Sequence, residues 1–165
     1  MRLVSSIKAA VALAAGFIIT FAQNHSALAG LWVLSGYAVV TAVGILIAAF
    51  KSSIAEAIIL LMFGSFAYLL TQTTIQLELF IWLVASLSLS LTVVSLYQAA
   101  QLGLKTKKAK DPIITAALNA LLGALFLLAP LDEVAAVGFF GAYLILIAVH
   151  LGISAASPVA PAKPK

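Results

Sequence analysis

Six runs of apolar residues, each close to the length that crosses a bilayer, fill most of this chain and restrict every other inference. A membrane span takes roughly 20 residues at about 1.5 Å of rise per residue. The runs cover residues 7–22, 27–50, 54–70, 79–97, 113–129 and 134–153. They are continuous rather than alternating, so they read as helices and exclude the strands of a barrel.

Composition removes the soluble alternative. Of 165 residues, 64% are hydrophobic and 8% charged, and the mean hydropathy is +1.21. Soluble domains carry about 25% charged residues, and a fold of this size cannot hide so much apolar surface from water. Lipid is therefore the solvent, and backbone groups must pair within each segment. The expectation is an all-α membrane protein with a single six-helix domain over residues 1–153. A basic loop spans 98–112 and a flexible tail 154–165.

Helix-start chemistry supports these limits. Ser53-Ile54-Ala55-Glu56 has the S-x-x-E form of a capping box, and Thr73-Thr74-Ile75-Gln76 the related T-x-x-Q form. Asp111-Pro112 places an acidic N-cap before a proline at the first helical position. Pro130, Asp132 and Glu133 mark a turn and an acidic helix entry.

Lysine and arginine set the orientation. Arg2, Lys8, Lys51, Lys105, Lys107, Lys108, Lys110, Lys163 and Lys165 all fall on one side of a six-span chain. The opposite turns, near Gln23–Ser26, Thr71–Glu78 and Ala129–Glu133, hold none. The positive-inside rule makes the basic side cytoplasmic, with both termini there. The net charge of +4 is thus explained by membrane orientation, and no nucleic-acid partner is implied. A competing reading treats residues 1–29 as a cleavable signal peptide, with Ala27-Leu28-Ala29 before Gly30 as its processing site.

The segments also read as three successive hairpins of one orientation, over about 7–50, 54–97 and 113–153. Gly16, Gly64 and Gly123 sit mid-way along the odd helices. Gly36-Tyr37-Ala38-Val39-Val40 corresponds to Gly141-Ala142-Tyr143-Leu144-Ile145 in the even ones, whereas the middle hairpin has Ala85-Ser86. Parallel internal repeats are a known construction of membrane folds. The third hairpin, with Gly123, Pro130, Gly141 and Tyr143, resembles the repeat unit of the HdeD-like acid-resistance membrane proteins. The match is strongest over 115–150 and weaker over 9–50, where Gly16, Gly36 and Tyr37 echo it. Pro130 has no counterpart in the first two turns, and the middle repeat keeps only Gly64. The resemblance implies a bacterial inner-membrane protein of stress or acid response, and it supplies no catalytic residues.

Candidate chemistry is sparse. There is no cysteine, so thiol catalysis and disulfides are excluded. No zinc-protease, nucleophile-elbow, phosphate-loop or dinucleotide fingerprint appears. Catalytic, cofactor and metal sites are therefore not expected, nor is an enzyme. Ionisable residues inside a membrane are suspects by default. Glu56 reads either as a proton or cation site or as the reciprocal cap of Ser53, and Lys8 as a snorkelling anchor or a ligand. His150 and His25 are candidates for pH sensitivity, and Asn119 for interhelical hydrogen bonding. Ser88, Thr92 and Ser95 share one face of the fourth span.

Gly16, Gly36, Gly64, Gly123, Gly138 and Gly141 are expected at close helix contacts. The expected partners are lipid and, by the same small-residue faces, other membrane proteins or a second copy. Three functions follow as expectations: a non-enzymatic stress-related membrane protein, an accessory subunit of a larger complex, and a small transporter or channel. The charge partition predicts that a membrane-impermeant amine label applied to intact cells leaves the 105–110 loop and Lys163 unmodified. Labelling of either would invert or break the six-span topology.

Overall fold

The structure, a computed structural model, describes residues 2–23 and 25–156, with the backbone alone for residues 2 and 50–52. It is all-helical, with no strand among the described residues. Six helices are long and apolar enough to cross a membrane. We denote them α1 (Arg2–Phe21), α2 (Ala27–Ala49), α3 (Ser53–Leu70), α4 (Gln76–Leu102), α5 (Lys110–Leu128) and α6 (Glu133–Ala156).

The connections differ from the sequence expectation in several places. Between α2 and α3 the helical ladder runs on through a corner, where Ala49 and Ser53 leave helical geometry at φ −156° and −138°. The 98–112 loop is mostly helix as well: α4 continues to Leu102, a 3-10 turn occupies Lys107–Ala109, and α5 begins at Lys110. Gly103 permits the turn after α4, with a positive φ of 79° that L side chains rarely adopt. Of the expected tail, 154–156 extend α6, and 157–165 lie outside the described residues.

Two expected caps are replaced. Thr73 donates to the Leu70 carbonyl at 2.7 Å and so closes the end of α3, while α4 starts after Ile75 without a side-chain cap. Asp111 lies inside the first turn of α5, whose N-cap is Ala109, and its carboxylate accepts from Ser154 of α6. Asp132 does cap α6, accepting from the Ala135 amide at 2.7 Å. Glu133 reaches across the bundle instead, accepting from the Ala27 amide at the start of α2 at 2.6 Å. A carboxylate suits that position, because unpaired amides and the helix dipole both favour negative charge.

Packing does not follow the hairpins. Helix α1 packs more extensively on α6 than on α2 and α3 together, and α5 packs far more extensively on α4 than on α6. The three-hairpin arrangement is therefore not what the closest packing displays. The even helices are the inner ones, each with 44% of its most apolar window buried, against 22%, 33% and 28% for α1, α3 and α5. Toward the end that carries Glu133, Phe80, Phe126 and Phe140 meet edge to face and fill the interior, with Gly30 giving way to the Phe80 ring.

Close approach depends on glycine at specific points. A Cβ on Gly16 would stand 3.0 Å from the Ile145 amide nitrogen, and one on Gly64 3.2 Å from that of Val39. On Gly141 it would meet Thr20 Oγ1 at 2.7 Å. Gly36 and Gly138, expected at helix contacts, instead face open space. Overpacking a tight contact costs about 1–3 kcal/mol, and an open surface position within about 0.5 kcal/mol. Gly16→Val should therefore lower the thermal stability of the detergent-solubilised protein clearly, and Gly36→Val should not. Equal effects would contradict this packing.

Candidate functional site

A polar cluster lies inside the bundle, in the half nearer Lys105–Lys110, and every helix contributes to it. Lys8 comes from α1, Tyr37 from α2, Glu56 from α3, Ser95 from α4, Thr115 and Asn119 from α5, and Tyr143 from α6. Leu60, Leu91, Ile147 and Leu151 complete the wall.

Two contacts organise the cluster. The Lys8 ammonium donates to Glu56 Oε1 and forms an ion pair between α1 and α3, with side chains 16% and 9% exposed. The Tyr143 hydroxyl donates to Asn119 Oδ1, joining α6 to α5. Asn119 is 2% exposed, and this bond satisfies its buried amide oxygen. In hydrocarbon either charge of the pair alone would cost several kcal/mol, and pairing offsets that cost. The space among these groups is about 10 Å³, which approaches the volume that admits a single water. It is not a conduit. Along the helices, the Phe80, Phe126 and Phe140 packing closes the bundle beyond it.

The sequence candidates separate here. Glu56 and Asn119 come together, the first engaged by Lys8 of α1 across the bundle. Lys8 does not snorkel toward a surface; it turns inward to the carboxylate. His150 is outside the cluster, with Nε2 3.3 Å from the Asp111 carbonyl at the basic end. His25 sits half-buried in the turn before α2, at the opposite end. Ser88 and Ser95 are buried as their shared face implies, and Thr92 donates to the Ser88 carbonyl at 2.9 Å within α4. Among the described residues, no group of three His, Cys, Asp or Glu side chains could hold a metal ion.

Tyr37, Thr115 and Tyr143 escaped the sequence reading as site residues, while Ser95 joins the cluster from the polar face expected on the fourth span. The available signal was spacing: Lys8, Glu56 and Thr115 each precede Gly16, Gly64 and Gly123 by eight positions. A second space, an apolar groove of about 330 Å³ between α3 and α4, is lined by Met62, Phe66, Trp82 and their neighbours. Its exposed rim faces outward, as a lipid-contacting surface does. No protein-family model, curated protein or solved structure matches this chain.

The buried pair has a measurable signature. Removing one partner of such a pair costs about 3–5 kcal/mol, whereas replacing both by apolar residues is often neutral or stabilising. Glu56→Ala should therefore destabilise the protein in detergent strongly, and the double variant Lys8→Met with Glu56→Met should recover most of the loss. Additive losses in the double variant would show that the two side chains are not coupled.

Proposed function

We propose that this chain is a non-enzymatic membrane protein of the bacterial inner membrane, with both ends in the cytoplasm. In this reading it serves in stress or acid tolerance through the way its helices pack with lipid or partner proteins. One observation carries the reading: the Lys8 and Glu56 charges are paired with each other, and Tyr143 with Asn119, around a space no larger than about one water. A transporter needs room for its cargo and a polar path to it, and a channel needs a continuous one. This bundle holds its charges as a closed set, which favours a structural or responsive role over conduction.

The chemistry of that set supports a link to stress. A carboxylate and an ammonium that neutralise each other in hydrocarbon hold two helices together only while both are charged. The facing titratable groups are Tyr37 of α2 and Tyr143 of α6, with Ser95, Thr115 and Asn119 as neutral partners from α4 and α5. Loss of the Glu56 charge would leave Lys8 without its counter-charge and loosen α1 from α3. The resemblance of residues 115–150 to the HdeD-like proteins points to the same physiology.

The test is survival. Deleting the gene should reduce recovery from acid or envelope stress, complementation with the wild-type gene should restore it, and Glu56→Gln should restore it poorly at equal protein level. A deletion strain indistinguishable from its parent under each stress would end this reading.

A further inference from the structure

The spacing that places three residues at the polar cavity is matched by the helix contacts. Lys8, Glu56 and Thr115 each stand eight residues before a glycine, and all three line the cavity. Each glycine abuts an even helix, and not the one that follows it in sequence. Gly16 lies against Leu144 and Ile145 of α6, Gly64 against Ala38 and Val39 of α2, and Gly123 against Ala85 and Leu89 of α4.

These contacts form three pairs of one kind, each odd helix set on the even helix that precedes it in a ring: α1 on α6, α3 on α2, α5 on α4. Two of the contacted pairs immediately follow a tyrosine, Tyr37 before Ala38 and Tyr143 before Leu144, and both tyrosines line the same cavity. The inner and outer helices alternate in the same order, with α2, α4 and α6 equally buried.

We propose that the polar cavity lies on an internal three-fold axis, with Lys8, Glu56 and Thr115 at equivalent positions around it. Three identical charges could not share such a place in hydrocarbon, because like charges brought together without water repel strongly. One cation, one anion and one neutral hydroxyl form a set that sums to zero. The axis then makes a specific statement about chemistry: the carboxylate that neutralises Lys8 can stand at position 56 or at position 115. Nothing in this depends on a stress role, and a chain with no part in stress would keep the same axis.

Moving the carboxylate tests the proposal on the full-length protein in detergent. Glu56→Thr should lower the unfolding midpoint by roughly 5–10 °C, since it strands a buried ammonium. Adding Thr115→Glu to that variant should restore at least half of the loss, although the new carboxylate is 59 positions away in sequence. Thr115→Glu alone should give no gain. A double variant no more stable than Glu56→Thr would overturn the proposal.

A second measurement does not depend on variant stability. The chain has no cysteine, so double-cysteine variants at 8 and 56, at 56 and 115, and at 8 and 115 can be cross-linked in native membranes. The reagent is a short, membrane-permeant bifunctional alkylating agent that reacts with thiols. Similar yields for all three pairs are expected, and failure of the 8 and 115 pair alone would exclude equivalent positions.

Discussion

Hydrocarbon offers no hydrogen-bond partner, so each polar group carried into it must find its partner inside the protein. That constraint shapes this molecule at every level. It makes each of the six spans a helix, since a helix satisfies its own backbone. It directs Lys8 and Glu56 toward each other across α1 and α3, and Tyr143 toward Asn119 across α6 and α5. At the surface the same constraint relaxes. Trp32 and Tyr68 meet edge to face with ring centroids 5.5 Å apart, half-exposed where aromatic side chains suit a membrane boundary.

Two kinds of interior follow from this. In the half that carries Glu133, helices meet through aromatic rings and missing side chains, as where Gly30 admits Phe80. In the other half they meet through hydrogen bonds and one ion pair. Association between helices in lipid draws on both devices, close van der Waals approach and interhelical polar contacts. Among the described residues the match is incomplete at Thr20 Oγ1 and Thr41 Oγ1, which are buried without a hydrogen-bond partner. Both lie on helices that also contribute to the tight contacts, Thr20 beside Gly141.

Much of the fold was legible in the apolar runs, because a span's length is set by the bilayer and read directly from sequence. The corner at Ala49–Ser53 was not, since Lys51 and two serines look like a loop and yet form nearly continuous helix. Capping motifs misled where several acceptors competed: Thr73 satisfies the end of one helix, so the T-x-x-Q pattern never caps the next. The ion pair stayed hidden for a different reason. Lys8 and Glu56 are 48 residues apart, and each has a sufficient local explanation, a snorkelling anchor and a capping-box acid. Asn119 was legible as an amide facing another helix, but its acceptor role toward Tyr143 needed the fold.

The bond from Glu133 to the amide of Ala27 bears on how such a chain is made. The two groups are 106 residues apart, and α1 likewise finds its most extensive contact in α6, which leaves the ribosome after the other five helices. Synthesis runs from the N-terminus at about 5–20 residues per second. The earliest helices therefore wait in the bilayer for seconds with their main seams open. Insertion of α6 closes these seams, and a chain cut short before Glu133 lacks both fastenings of its own beginning.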